Sequence, residues 1–259
     1  MHNPLLADAD GCARPIQAAV WYLVVIVLVV LFFWASLAMV GVALDFSFVA
    51  RFQARILDGL LLTLAISAGS LVLSLVIGLP VAVGQSSRVL PVRYLCDLYV
   101  KLVRGTPLLA QIYLFFYVVG TAWGVENRLV AGIVILSVFS GAYIAEIVRG
   151  SLSSLDAGQL EAARAVGFTR AQAMRYVVVP QLVSRTLPAL TGQFASIVKD
   201  SSLLSVIAVV ELTQTMREIS ATTFNLFGTY LFLAGLYLCL TLPIMFVSRA
   251  FEGRLTYAH

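Results

Sequence analysis

The chain has 259 residues, of which 61% are hydrophobic and only 12% are charged, and its mean hydropathy is +0.97. A soluble domain averages about 45–50% apolar and about 25% charged residues, so this composition indicates an integral membrane protein. The formal net charge is only +4, and so modest a charge on so apolar a chain argues against a nucleic-acid partner.

Six apolar segments are long enough, or nearly long enough, to cross a membrane, which takes about 20 residues. They are residues 18–44, 59–84, 105–121, 129–150, 187–210 and 228–250. The sequence therefore predicts an all-α membrane protein with six transmembrane helices. The first segment is too long and too apolar for a cleaved signal peptide, so we expect it to be retained. A domain boundary is predicted near residue 56, between residues 1–56, with the additional span, and a five-span core at residues 57–252.

The basic residues predict which side of the membrane each loop occupies, because cytoplasmic loops are enriched in Lys and Arg. With the N-terminus in the cytoplasm, twelve Lys and Arg residues fall on the cytoplasmic side and four fall outside, and Lys199 lies within a span. The four outside are Arg51, Arg55, Arg128 and Arg217. Both termini and the loop at residues 151–180 are therefore expected in the cytoplasm.

A polar stretch at residues 156–181 lies between the fourth and fifth predicted spans. Two residue pairs in it have the spacing of capping boxes: Asp156 with Gln159, and Thr169 with Gln172. Gly167 lies between the pairs, where the chain can turn, and Pro180 follows. The pattern predicts two short helices joined by a bend, the second closed by Pro180.

The residue pattern alone leaves two roles open for this stretch. The small side chains of Ala162 and Ala163 would let another surface approach closely, which favours docking into a cleft of a soluble partner. A basic helix of this kind can instead lie on the lipid surface.

The stretch resembles the EAA loop of bacterial ABC-importer permeases. Glu161, Ala162 and Ala163 are followed after three residues by Gly167, and after nine more by Val-Val-Val-Pro where that family usually has Ile-x-Leu-Pro. Further runs resemble the polar amino-acid branch, the histidine and glutamine permease type: RGTPLLAQIYLFFY (104–117), GAYIAEIVRGSLSSLDAGQLEAARAVG (141–167), VVPQ (178–181) and VKDSSLLSVIAVVEL (198–212). The resemblance covers about residues 57–252.

The resemblance implies a type I ABC transmembrane fold, with five core helices, to which the N-terminal span is an addition. It also implies that the polar stretch is the coupling helix, which docks into an ATP-hydrolysing subunit. The residues that it assigns to this contact are Glu161, Ala162, Ala163, Arg164, Gly167 and Phe168.

Two ionisable residues, Lys199 and Asp200, fall in the middle of the predicted fifth span, where charges are costly and usually functional. In one interpretation Asp200, with the hydroxyls of Ser201 and Ser202, lines the translocation path and binds a substrate ammonium group. In the other, Lys199 neutralises Asp200 or a neighbouring helix dipole. Adjacent residues diverge by about 100° on a helix, so the sequence leaves open which of the two charges faces the path.

Three charged residues near the predicted cytoplasmic side are candidates for a gate or an ion pair. Glu146 and Arg149 are three residues apart and can form a local pair at the start of the polar stretch. Alternatively, they contact Arg104 or another permease subunit, and Arg104 can also be an interfacial anchor. At the opposite side, Glu211 and Arg217 are expected either to meet a periplasmic binding protein or to be solvated.

The chain contains no Gly-Lys-Ser or Gly-Lys-Thr, so it has no P-loop, and it is not expected to be an enzyme. The terminal positions of His2 and His259 and the wide spacing of the three cysteines argue against a metal site or a disulfide framework. No cofactor is expected in this chain. The resemblance implies that ATP and Mg are bound by two partner ATPase subunits.

The expected function is that of a multi-pass permease subunit in the bacterial inner membrane, importing a polar amino acid that is zwitterionic or cationic. The implied partners, besides the ATPases and the lipid bilayer, are a second permease subunit, identical or homologous, and a periplasmic amino-acid-binding protein. The alternative is a secondary transporter driven by an ion gradient, but such proteins usually contain internal repeats, and none is visible here. A membrane sensor or scaffold would leave the charges at Lys199 and Asp200 unexplained.

Overall fold

The computed structural model of the chain describes residues 15–41, 44–155 and 157–256. Its α-helices are α1 Pro15–Val40, α2 Ser47–Gln85, α3 Leu90–Gly105, α4 Leu108–Tyr113, α5 Arg128–Ser153, α6 Ala157–Ala165, α7 Arg170–Ala173, α8 Val179–Asp200, α9 Leu212–Thr223 and α10 Leu226–Thr256. A π-helical segment, Leu114–Gly120, continues α4, another, Met174–Val178, joins α7 to α8, and a 3₁₀ helix, Ser201–Ile207, follows α8. The predicted cap residue Asp156 and the terminal histidines His2 and His259 lie outside the described residues.

Four of these helices contain stretches that are long and apolar enough to cross a membrane: Gln17–Val40, Ser47–Gln85, Arg128–Ser153 and Leu226–Ser248. A fifth candidate is the pair Leu90–Gly105 and Leu108–Gly120, whose two parts are bent by 110°. The helical membrane architecture is thus confirmed. Within the described ranges α8 is not among the candidate spans, so the count of six transmembrane helices stays a prediction.

The continuous span predicted at residues 187–210 is wrong in its bounds. The helix begins earlier, at Val179, ends at Asp200, and gives way to the 3₁₀ helix. The Ser201 hydroxyl donates a hydrogen bond of 2.8 Å to the carbonyl of Val198, and serines that bond to the backbone in this way compete with regular helix geometry. Lys199 and Asp200 therefore end a helix rather than occupy the middle of one.

Pro180 does not close the helix before it, as the sequence suggested, but lies in the first turn of α8. Proline is tolerated there because the first turn has no partner for its missing N–H group. The π-helical segment Met174–Val178 precedes it, so the helical path is continuous from Arg170 to Asp200.

The segment between the first two predicted spans is mostly helical. Helix α2 already begins at Ser47 and has a kink at Phe52, where φ is −114° and ψ is 18°. Phe48 and Ile56 are buried in an apolar cluster with Leu212 and Met216 of α9, so packing keeps these first turns helical. Arg51 and Arg55 consequently project from a helix.

Two compact units are present, residues 1–46 and residues 47–259, and they divide earlier than the boundary predicted near residue 56. In the first unit, the candidate span of α1 contains no charged residue, and none of its most apolar stretch is buried within the chain. A helix that is apolar on all sides needs lipid or another protein around it.

The second unit is centred on the contact between α2 and α5. Small residues recur every three or four positions on the buried face of α2: Ser67, Ser70, Ser74, Gly78 and Ala82. A Cβ atom on Gly78 would lie 2.7 Å from the carbonyl oxygen of Gly141 on α5, so only glycine fits there. Small residues let membrane helices approach closely, which explains the tightness of this contact.

Candidate coupling and substrate sites

The polar stretch, here named the EAA segment (residues 157–178), folds into two short helices with a sharp bend, as the sequence predicted. The bend is at Gly167, whose φ of +87° is the left-handed conformation that glycine adopts without strain. The Phe168 N–H donates to the carbonyl of Ala163 and the Gly167 N–H to that of Arg164, both at 3.0 Å. This is a Schellman motif, which satisfies the last carbonyls of α6.

The second helix of the EAA segment begins with the predicted capping box. The Gln172 N–H donates to the Thr169 hydroxyl oxygen at 3.3 Å, and the Thr169 N–H donates to Oε1 of Gln172 at 2.8 Å. The Gln159 side chain of α6 accepts a hydrogen bond from Gln181 on α8. The EAA segment is therefore held by its own caps and tied to the start of α8.

The residues assigned to ATPase contact differ in their exposure. Glu161, Ala162 and Arg164 are exposed, and Phe168 is 38% exposed with its ring packed edge-on against Tyr176. Ala163, in contrast, is buried, because the chain's own atoms cover it. The close approach expected at both small residues is thus made within this chain at Ala163, and only Ala162 is left for a partner.

A contact between α8 and the end of α5 links the EAA segment to the membrane helices. The Arg185 guanidinium donates to the carbonyl oxygen of Ser154 and, at 3.0 Å, to its hydroxyl. Arg185 is close to Gln181, which holds the EAA segment, so α5, α8 and the EAA segment are mechanically joined at this point.

Glu146 makes both the local pair with Arg149 and a contact with Arg104, within one cluster of charged residues. The Arg149 guanidinium donates to both oxygens of the Glu146 carboxylate, which makes the local pair. Arg104, at the end of α3, lies 3.4 Å from the same carboxylate, and its guanidinium is 5.3 Å from the ring centre of Tyr143. Glu146 thus joins α3 to α5, and a gating role for this contact stays a prediction.

A cavity of about 760 Å³ opens beside this cluster, between the ends of α2, α3 and α5; we name it the inner cavity. Its charged and polar lining includes Gln85, Asp97, Lys101, Arg104, Glu146 and Arg149. Asp97 accepts hydrogen bonds of 3.2 Å from both Lys101 and Gln85. Asp97 is not among the site residues predicted from the sequence, although its i, i+4 spacing to Lys101 on an amphipathic helix is a usable signal.

The predicted substrate residues lie together at the junction of α8 and the 3₁₀ helix. Asp200 is partly buried, and its carboxylate makes no hydrogen bond or ion pair with another described residue, whereas Lys199 is exposed. Ser201 is fully buried with its hydroxyl bonded to the backbone, and Ser202 is partly buried. The Lys199–Asp200 ion pair, one of the two interpretations open from the sequence, is not formed among the described residues, so Asp200 keeps its hydrogen-bonding capacity.

Glu211 was expected at a surface, but it is fully buried. Its carboxylate caps α9 by accepting the N–H groups of Thr213 at 2.8 Å and Gln214 at 2.9 Å. The Tyr237 hydroxyl of α10 donates to the same carboxylate at 3.1 Å. The signal available in the sequence was an acidic residue directly before a helical pattern, which is the position of an N-cap.

Comparison with known proteins identifies the family. Residues 74–257 match the sequence model of the binding-protein-dependent transport system inner membrane component. The chain belongs to this family. Within the described residues of this permease, no group of three or more His, Cys, Asp or Glu side chains could hold a metal ion.

Curated relatives agree with this assignment. The permease is 36% identical over 199 residues to a probable glutamine ABC transporter permease protein, GlnM, of Bacillus subtilis, and that match covers 77% of this chain and 92% of the relative. It is 34% identical over 203 residues to the glutamine transport system permease protein GlnP of Escherichia coli K12, with the same coverage.

Solved structures show the same fold. An amino acid ABC transporter crystallised with histidines has a chain with a TM-score of 0.76 and 34% identity to the permease, covering 82% of this chain and 100% of that one. The inward-facing methionine ABC transporter MetNI has a TM-score of 0.68 at 23% identity, and this likeness shows the fold alone. The type I ABC permease fold expected from the sequence is confirmed.

Proposed function

We propose that the permease is the membrane-spanning subunit of an ATP-driven importer of polar amino acids, zwitterionic or cationic, in the bacterial inner membrane. Relatives named for glutamine transport and the histidine-bound transporter structure support the substrate class. Two ATPase subunits, a second permease chain, identical or homologous, and an extracytoplasmic binding protein complete the assembly. ATP and Mg are bound by the ATPases, and this chain supplies the path.

The geometry of the EAA segment is the observation that carries this proposal. The Schellman motif that ends the first helix and the capping box that begins the second make a stiff projection, and Glu161, Ala162 and Arg164 are exposed on it. A partner that pushes on such a projection moves it as a unit, because its backbone groups are already bonded within the segment. A stiff, exposed projection of this kind suits the docking of an ATPase.

Movement of the EAA segment would reach the membrane helices through the contacts at its base. Gln181 and Arg185 connect it to α8 and to the end of α5. The Glu146 cluster lies near that end of α5 and holds Arg104 of α3. Closure of the ATPases would thus shift α5 relative to α3 and open or close the inner cavity, which is a rigid-body form of alternating access.

The substrate class follows from the free carboxylate of Asp200. A carboxylate held in an apolar region needs a compensating cation, and no described side chain supplies one in contact with it. The ammonium group of an amino acid would fill that role, with Ser202 offering a further hydroxyl. A fixed negative charge would repel a second carboxylate, so acidic amino acids would be disfavoured.

Reconstitution in proteoliposomes tests the proposal. The permease should import labelled glutamine or histidine only when the ATPase, the binding protein and ATP are all present. Uptake by the permease alone on an imposed proton or sodium gradient would establish a secondary transporter instead. Binding without uptake under every condition would indicate a sensor.

Variants at Gly167 test the coupling step. No atom lies within 4 Å of a Cβ built at this position, so a substitution acts only through the left-handed φ. Gly167→Val should cost about 1–2 kcal/mol of local strain, disturb the bend, and lower both ATPase co-purification and uptake. Gly167→Asn, which tolerates this conformation better, should be milder, and Gly150→Ala, also in open space but helical, should behave as the unaltered protein. Normal co-purification and uptake with Gly167→Val would contradict docking through this segment.

Cysteine labelling tests the orientation. With Arg170→Cys on a background lacking the native cysteines, an impermeant maleimide should label only permeabilised cells. Labelling in intact cells would place the EAA segment outside and overturn the proposed topology.

A further inference from the structure

A second pocket, of about 310 Å³, lies between the EAA segment and the turn that joins α2 to α3. Its lining includes three arginines, Arg88, Arg164 and Arg170. Arg88 comes from the α2–α3 turn and the other two come from opposite sides of the bend at Gly167, so the fold, not sequence proximity, brings them together. We name this site the arginine pocket; its volume is at the lower end of the range for ligand pockets, about 300–1,000 Å³.

Within the part of the chain that the structure describes, the three guanidinium groups have no anionic partner. None of them makes an ion pair or a side-chain hydrogen bond with a described residue, although Glu161 lies only three positions before Arg164. Other arginines of the same unit are engaged: Arg55 with Glu218, and Arg104 and Arg149 with Glu146. Three like charges around one small pocket repel each other unless an anion is bound between them.

The rest of the pocket is apolar, and this restricts the class of anion. Phe168, Met174 and Val178 complete the lining together with Ala173. Directly beside Arg88, Val89 and Leu90 are more than half exposed and begin the amphipathic helix α3. The pocket thus offers positive charge and adjoins an apolar surface, at the place where the chain leaves a membrane-crossing helix.

We propose that the arginine pocket binds the phosphate of an anionic phospholipid, with the acyl chains lying against the exposed apolar side chains of α3. Guanidinium groups bind phosphate oxygens with paired hydrogen bonds, and arginine suits this better than lysine. The lipid would tie the EAA segment to the membrane edge at Arg88. Binding at this site requires neither an ATPase nor a transported substrate, but Arg164 and Phe168 also belong to the surface proposed for ATPase docking, so the lipid is measured on the permease without its ATPase.

Native mass spectrometry of the full-length permease in detergent would measure the binding, with phosphatidylglycerol as the probe and phosphatidylcholine as the uncharged comparison. Phosphatidylglycerol should be retained preferentially. The double variant Arg88→Gln/Arg170→Gln should bind it about ten-fold more weakly or worse for each arginine removed. The control Arg128→Gln/Arg175→Gln removes the same charge from exposed arginines that do not line the pocket, and should bind as the unaltered protein.

Further measurements distinguish this site from its alternatives. Arg88→Lys/Arg170→Lys keeps the charge and should give intermediate affinity, which separates phosphate binding from a folding defect. Equal retention of both lipids, or equal loss in the control variant, would overturn the proposal. Full displacement by inorganic phosphate would show a site for free phosphate. Unchanged lipid binding with lost ATPase co-purification would show that these arginines meet acidic groups of a protein partner instead.

Discussion

Two carboxylates in one part of the chain, Asp200 and Glu211, are placed in opposite ways. Glu211 is fully buried, and its oxygens accept three hydrogen bonds, from Thr213, Gln214 and Tyr237. Asp200 is partly buried and accepts none from a described residue. The sequence leaves two roles open for Asp200, a substrate contact or a pair with Lys199, and it predicts a surface position for Glu211.

The difference separates a carboxylate that holds the fold from one that is free for a ligand. A buried polar group is tolerated when its bonding capacity is used, and Glu211 meets that condition within the chain. Asp200 does not meet that condition, so either water or a cation from a ligand must satisfy its carboxylate oxygens. Two further carboxylates lie between these extremes: Glu146, bound by two arginines at the inner cavity, and Glu218, partly exposed on α9.

Glu211→Ala should have the largest effect, because it damages both folding and transport. It removes the cap of α9 and leaves the partly buried N–H groups of Thr213 and Gln214 without their acceptor, at a cost of about 0.5–2 kcal/mol. We expect a lower thermal midpoint, poor yield and little uptake. Fluorescence-detected size-exclusion chromatography over a temperature series would measure the stability.

Glu211→Gln is the matched control for this prediction. Its side-chain oxygen can still accept an N–H, so the variant should regain much of the stability lost with alanine. A Glu211→Ala protein as stable as the unaltered chain would end the structural interpretation of this carboxylate.

Asp200→Asn should impair uptake while leaving the fold intact. The change is nearly isosteric, and no described bond is lost with the charge. Loss of a charge-assisted bond to the substrate should weaken uptake about 10–100-fold, with complex yield and basal ATP hydrolysis close to normal. Uptake and complex yield should be measured on one preparation. Unaltered uptake would show that Asp200 is not part of the path, and poor yield would show that its role is structural. Lys199→Gln, at an exposed neighbour, is the control.

Glu146→Gln should have an intermediate effect. Its two arginine partners are partly exposed, so solvent screening limits the interaction to about 0.5–1 kcal/mol. We expect uptake to fall about two- to five-fold with little change in thermal stability. Lys101→Gln, which breaks the Asp97 pair in the same cavity, is the control for a general change of charge. If both variants lower uptake equally, Glu146 has no special role as a latch between α3 and α5.

The sequence was sufficient where a single local rule decides the structure. The capping box at Thr169 and the bend at Gly167 were predicted, because each depends on residues only a few positions apart. The apolar segments at 59–84, 129–150 and 228–250 lie within the helices α2, α5 and α10. The ATPase and substrate roles given to individual residues stay predictions.

Features that depend on distant parts of the chain were not predictable in the same way. The burial of Ala163 is a tertiary feature that no short-range residue pattern specifies. Glu211 is buried because α10 places Tyr237 beside it, 26 residues further along the chain. Residues 47–56 precede the second predicted span, yet they are helical, and this depends on the packing of Phe48 and Ile56 against α9. The break after Asp200 is partly local, since Ser201 bonds back to Val198.

Glu218→Gln should have the smallest effect, although Glu218 lies on the same helix as the cap Glu211. Its carboxylate is 2.6 Å from the Arg55 guanidinium of α2 and accepts a 3.1 Å hydrogen bond from Gln214. Both ionic side chains are more than a third exposed, so the pair should contribute no more than about 1 kcal/mol, and less at high salt. A double-mutant cycle with Arg55→Gln, read from thermal midpoints at low and high salt, would isolate the interaction. Uptake should stay normal throughout the cycle. A salt-independent loss as large as that of Glu211→Ala would show that burial does not distinguish the two carboxylates, and the contrast drawn between Glu211 and Asp200 would lose its physical basis.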